Sequence, residues 1–378
     1  MSYSLKRQHS LTDCRSAPHR AVAGLLSAAI GAGIQPTLVE DLHQSLPEHL
    51  VQIATFNYVH TIVASAFTEH AKLEACIPRD LFVYFAQMHA ANRQRNHDAR
   101  QQLATIGAAF SNEEIDVVVL KGGAEILSPY YCDPAHRFIS DLDLLVPESR
   151  LQDAADLLQA LGGRMHHIDE INLRGHHHLP AIEWDGLPCQ VELHRRIGSG
   201  ASNTLLPSDD IFARSLPCDE TGLCVSSLPD RFTHHVLHTQ ISTPRFGNAT
   251  LCLRSCADHI ILRRALNEDQ LGNLRRKFAR HGLSPILDGL DALSRRIFHP
   301  GQQTNPSSSA EIWATRALRN FGCPQIQKHH YMLDRFKGYA WRFLTDHERR
   351  RHYLKKGLSA KAWSDFIAFH RDRLRRYK

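Results

Sequence analysis

The segment "FISDLDLLV", Phe138–Val146, sets Asp141 and Asp143 two residues apart in a run that otherwise reads as buried strand. Alternate residues of a strand share a face, so both carboxylates project to one side while Leu142, Leu144 and Val146 project to the other. At ~5 Å and an effective dielectric of ~20, two such charges repel by about 3 kcal/mol, a large fraction of a domain's stability. Positive charge is needed between them. Downstream, "CQVELHRRI" puts Gln190, Glu192 and His194 on one face of a second strand, with Cys189, Val191 and Leu193 on the other. If the two strands are neighbours, Asp141, Asp143 and Glu192 converge into a hard-oxygen site suited to Mg²⁺. Glu183, on the preceding strand, is the competing third acid, and His194 becomes a hydrogen-bonding neighbour of the site.

Upstream, "IDVVVLKGGAEIL" reads as a strand, Ile115 to Leu120, that passes through Gly122 and Gly123 into a helix. Backbone N–H groups at such a helix start attract anions, and Lys121 stands beside them. Phosphate on one side and Mg²⁺ on the other describe phosphoryl or nucleotidyl transfer. Two other groupings carry weaker signals. In "GHHHLP", His176, His177 and His178 suit a nucleotide phosphate or a transition metal, though an exposed loop is the ordinary reading. Cys252 and Cys256, one helical turn apart, fit an apolar helix face better than a metal site shared with His234, His235 or His238.

The surrounding elements follow from periodicity and punctuation. Residues 1–20 are polar and basic and read as a flexible tail; 21–112 are helical, with apolar residues three and four apart. Within that block, "AVAGLLSAAIGAG" is expected to form a small-residue helix at the edge of the first domain. Residues 113–200 form the α/β core: strand, helix, strand, a helix "RLQDAADLLQAL" with a Ser149/Gln152 capping box and a Gly162-Gly163 stop, then a hairpin turning at Asp185-Gly186. Residues 201–300 return to helix, 301–312 form a linker, and 313–378 form a basic, aromatic-rich helical end. The expected class is α+β: a small mixed sheet with helical segments before and after it.

With 378 residues and 43% hydrophobic content the chain can bury a substantial core, which excludes a disordered protein. A net charge of +6 permits phosphate or acidic partners without demanding them. The basic end would grip RNA or an anionic membrane, or form a solvated amphipathic helix, and the second reading is preferred. Nine cysteines without a CxxC pair point to neither a disulfide framework nor a zinc ribbon, and with no apolar run of ~18 residues the expected location is cytoplasmic.

Taken in order, "LKGGAEIL", "RFISDLDLLV" and "VELHRRI", with helices on both sides, resemble the bacterial family of uncharacterised nucleotidyltransferases within the DNA polymerase β-like superfamily, over about residues 20–320. The interval from Gly123 to Asp141 exceeds the superfamily's usual spacing but agrees with the narrower family. The resemblance implies that Gly122 and Gly123 hold a triphosphate and that Asp141 and Asp143 bridge two Mg²⁺ ions. Glu192 would complete the catalytic ion's shell, and Lys121 and Arg137 would neutralise phosphate. It further implies transfer of an NMP, with ATP the expected donor, to an acceptor hydroxyl on a small molecule, peptide or protein. A rival reading is a non-catalytic module of the same fold that engages a protein or RNA.

Overall fold

The computed structural model describes residues 16–165, 176–218, 221–299 and 307–323, together with Cys14, Asn305 and scattered positions between 325 and 364. Most of the expected tail and basic end lies outside the described residues, as do 301–304 and 306 of the expected linker, whose last residues open the helix Ser309–Phe321. Seven strands make one mixed sheet: β1 (Val118–Leu120), β2 (Asp141–Leu145), β3 (Arg164–Met165), β4 (Ile182–Glu183), β5 (Gln190–His194), β6 (Leu216–Cys218) and β7 (Leu223–Val225), in the order β3-β4-β5-β2-β1-β7-β6. With helices before, between and after the strands, this is an α+β fold.

β1 pairs antiparallel with β2, and β2 pairs parallel with β5. β4 and β5 form the expected hairpin, with Gly186 at φ +81° in its turn, a left-handed angle that suits glycine. Two local expectations need correction. Regular pairing in the first strand begins at Val118 rather than Ile115. The helix after β2 spans Leu151–Ala160 and follows a 3₁₀ turn, Glu148–Arg150, that absorbs Ser149, so Arg150 occupies the N-cap and no side chain caps it.

The strand alternation sorts the apolar residues into two cores. Leu142, Leu144 and Val146 pack with Cys189, Val191 and Leu193 under the helix Leu151–Ala160 and the second half of the long helix Arg79–Asn112. Val118, Leu120 and Leu145 pack on the opposite side against Phe232, Val236, Phe278 and Leu290 from the later helices. The acids belong to that second side.

A third core joins the earliest helices to residues 249–321. At its centre is the helix Ala17–Ala29, buried from Ala21 to Ala29, which corrects the expected edge position. Small residues explain the placement: a Cβ added to Gly24 would come within 2.9 Å of Leu38 Cδ1, so the glycine lets a neighbouring segment close in.

The helix Arg79–Asn112 runs through 34 residues and joins two of these cores, Phe85 in one and Leu103, Ile106 and Phe110 in the other. Its middle is polar and grips the loop that delivers β2. Asn92 Nδ2 donates to Ala135 O (2.7 Å), Asn96 Nδ2 to Arg137 O (3.0 Å) and Arg95 Nε to Ile139 O (2.9 Å). Buried backbone carbonyls without such donors would cost several kcal/mol together. The start of β2 is therefore fixed from outside the sheet.

Candidate active site

β2 and β5 run in register, with Asp141 opposite Gln190, Asp143 opposite Glu192 and Leu145 opposite His194. Parallel neighbours lie ≈ 4.8 Å apart, so this register alone brings the Asp143 and Glu192 side chains together. Ligand atoms of Asp143, Glu192 and His194 all fall within 4.8 Å of one another. Asp141 stands two residues along on the same face, more exposed, with Ser140 Oγ donating to its Oδ1 at 3.0 Å. Glu183 is not part of this group. It pairs across the sheet with Arg164 in β3, on the far side of β5 from Asp143.

Lys121 supplies the positive charge that the aspartates require, and His194 adds a second donor. Lys121 Nζ donates to Asp143 Oδ1 at 2.5 Å, and His194 Nε2 lies 2.8 Å from the same oxygen and 3.6 Å from Glu192 Oε2. Burial opposes charge on every group here, but pairing wins for four of them. Lys121 and His194 overcome burial and hold the Asp143 carboxyl well below its usual range. Asp143 in turn raises the Lys121 and His194 pKa values despite their burial, and the nearby His194 ring lowers that of Glu192 against its burial. Asp141 goes the other way, raised by burial and then by the Asp143 charge.

The site residues differ in how they are built. Lys121 has φ +44°, a left-handed angle that costs a non-glycine residue about 1–2 kcal/mol. That angle stands at the junction of β1 and the helix Lys121–Leu127, where the ammonium meets Asp143. Gly122 and Gly123 are buried, and both permit close packing: an added Cβ would lie 2.6 Å from Arg137 Nη1 at Gly122 and 2.6 Å from Val119 Cγ1 at Gly123. Arg137 pairs bidentately with Asp258, at 3.0 Å through both Nε and Nη2, and Tyr131 Oη donates to the same carboxylate at 2.8 Å. A phosphate at Arg137 would have to compete with that buried pair.

Asp143 Oδ2 is buried with no hydrogen-bond partner, and so is His194 Nδ1. An ionised carboxylate with one oxygen left unpaired in a desolvated site favours a cation. With Glu192 beside it and Asp141 along the strand, the donor set of three carboxylates fits a divalent ion, and His194 orients Asp143 from the side.

A sequence profile of the uncharacterised nucleotidyltransferases matches residues 43–299, a span that includes all of these side chains. The chain belongs to this family. It is accordingly an enzyme that transfers phosphorus-containing groups, with nucleotidyl transfer as its general activity and an NTP as substrate. No curated protein and no solved structure matches it. Among the described residues no helix is long and apolar enough to cross a membrane.

Around this candidate site lies a layer of histidines, among them two, His234 and His238, that the sequence did not tie to it. His234 and His238, one turn apart, approach Lys121 and Asp143 closely enough to feel their charges; burial first, then the Lys121 charge, holds both imidazoles well below their usual pKa. Their i, i+4 spacing in "THHVLH" was the available signal, and it put both rings on one helix face. A π-helical turn, His238–Ser242, follows directly, a form that recurs at functional sites. The Cys252 and Cys256 thiols are not their partners: Cys252 Sγ donates to Asn57 O, and neither thiol joins a metal-competent cluster among the described residues. His177 and His178 lie over His194, with ring centroids at 5.5 and 5.0 Å, and burial followed by its histidine neighbours lowers the His177 pKa to about 3.

Proposed function

We propose that the enzyme moves an NMP, AMP foremost, from a nucleoside triphosphate to an acceptor hydroxyl and releases pyrophosphate, with Mg²⁺ held by Asp141, Asp143 and Glu192. The acceptor oxygen forms a bond to the α-phosphorus as the bond to the bridging oxygen of the leaving pyrophosphate breaks. Divalent ions held there would neutralise charge on the attacking and leaving oxygens. The chain's own part is positioning. Asp143 offers its free Oδ2, Glu192 lies opposite it in register, and Asp141 supplies the outer carboxylate. Lys121, beside the Gly122-Gly123 turn, meets phosphate charge when it leaves Asp143, and the acceptor's proton passes to a carboxylate of the cluster or to water.

One observation carries this reading: a buried carboxylate oxygen without a partner, facing a second acid in register on the neighbouring strand. A protein that only bound a partner would gain nothing from converging buried charge, which is costly unless compensated. The test is incubation with each labelled NTP and Mg²⁺ in a lysate of the native host, comparing wild type with Asp141→Ala/Asp143→Ala. Label in a product formed by wild type alone supports transfer and reveals the acceptor's size. No label from any nucleotide refutes it.

A further inference from the structure

The motif "HHH" at His176–His178 is not used by the transfer chemistry, yet its three side chains bring one ligand nitrogen each to within 4.8 Å of the others. Tetrahedral Zn²⁺ holds nitrogens at ≈ 2.0–2.1 Å, which places them about 3.4 Å apart, so side-chain rotation of little more than 1 Å closes the set.

The segment is clamped rather than free to wander. Leu179 N donates to Leu193 O (2.8 Å), the backbone N–H groups of Arg195 and Arg196 donate to His177 O (3.0 and 3.3 Å), and Arg195 Nη2 donates to His176 O (2.7 Å). His178 also forms an isolated β-bridge with His194. These bonds, two of which make up that bridge, come from one strand end and hold the segment in place. The ring of His178 is oriented as well: its Nδ1 lies 2.7 Å from Leu179 O, and a carbonyl only accepts, so Nδ1 carries the proton and Nε2 of the neutral ring presents a lone pair. Donation of the second ring N–H to a backbone carbonyl is the arrangement that orients metal-bound imidazoles.

We propose that His176, His177 and His178 form a second metal site that takes a single Zn²⁺ through three imidazole nitrogens, with the fourth position open to water or an anionic ligand. Imidazole nitrogens select borderline ions such as Zn²⁺ over Mg²⁺, so the two sites differ in the metal they prefer. An open fourth position is the hallmark of zinc that binds or activates a ligand rather than one that only braces a fold.

The test is titration of the metal-free full chain with Zn²⁺ against a chromophoric chelator, without nucleotide, followed by Co²⁺ substitution. Wild type should bind one Zn²⁺ equivalent at this site and give the visible absorption of four-coordinate Co²⁺. Asp141→Asn/Glu192→Gln should retain both, because it weakens the acidic cluster and spares the buried Asp143 pair. His177→Ala/His178→Ala should lose both. His176→Ala, which removes an exposed ring and keeps the fold intact, should weaken Zn²⁺ about tenfold or more. The proposal fails if wild type binds no Zn²⁺ equivalent that survives in the acid variant, or if His176→Ala binds as tightly as wild type. Neither result depends on transfer activity, so this site and the transfer reading stand or fall separately.

Discussion

Glu192 stands directly opposite Asp143 across the parallel pair β2–β5, while Glu183, its neighbour in the hairpin, pairs with Arg164 on the far side. In the proposed site the third acid is therefore set by sheet register, and a one-residue slip would turn it to the wrong face. Glu192→Gln is expected to lower transfer by at least about a hundredfold, the scale of losing one charge-stabilising group at a reacting centre. Glu183→Gln should stay within about threefold of wild type. Initial rates with saturating labelled NTP decide it: comparable losses for the two variants would mean that Glu192 is not the third acid.

Asp143 and Asp141 should separate stability from activity. Asp143 is 1% exposed and carries two donors on one oxygen, so Asp143→Asn leaves Lys121 and His194 facing a neutral amide. Breaking a buried charge pair by removing one partner typically costs about 3–5 kcal/mol. Asp141 is more exposed, and burial and Asp143 both disfavour its charge. Asp141→Asn should accordingly leave metal-free stability unchanged or slightly raised, while both variants lose transfer. Urea denaturation in the presence of a chelator measures the first effect. Equal destabilisation by the two substitutions would contradict the charge distribution described here.

The buried histidines predict acid sensitivity. Burial holds His235 at about 3, below its ordinary value near 6.5, so the unfolded chain takes up the proton first as pH falls. Its contribution to stability is complete above pH 6.5 and declines as pH drops toward 3, by up to about 1.4 kcal/mol per pH unit. His136, at about 4 because of burial, acts in the same direction. His194 has the opposite sign: its raised folded pKa stabilises the chain below pH 6.5 and ceases to do so as pH rises through the folded value. His235→Gln should flatten the slope of unfolding free energy against pH between 6.5 and 4 by about one proton. An unchanged slope would show that His235 is charged or solvated in the folded protein.

Much of this site was legible because strand alternation and register are simple rules. Two acids at i and i+2, and Glu192 with His194 at the same spacing, fix faces without any knowledge of tertiary structure, and the hairpin turn at Asp185-Gly186 orders the strands. What escaped the sequence were pairings set by distant segments. Nothing local to Lys121 says that its ammonium meets Asp143, since that contact arises from antiparallel β1–β2 pairing and an unusual backbone angle. Arg137 looks like a phosphate ligand until Asp258, 121 residues later, is folded against it. Likewise Ala17–Ala29 resembles an edge helix, because small residues signal close approach without naming what approaches.

Lys121 offers the sharpest division between holding a carboxylate and meeting a phosphate. Its ammonium donates to Asp143 Oδ1, so it competes with a divalent cation for the charge of that carboxylate while remaining available to a nucleotide's phosphates. Lys121→Met keeps the apolar stem and removes the charge. A charge-assisted hydrogen bond contributes about 1.5–3 kcal/mol, hence the variant should bind Mn²⁺ about tenfold more tightly without nucleotide. Its KM for the NTP should rise by a similar factor, because the cation left beside the Gly122-Gly123 turn, Arg137, is held by Asp258. Electron paramagnetic resonance of free Mn²⁺ and steady-state kinetics give the two readings. Weaker Mn²⁺ binding in the variant would mean that Lys121 serves to orient Asp143, and the competition argument would fall.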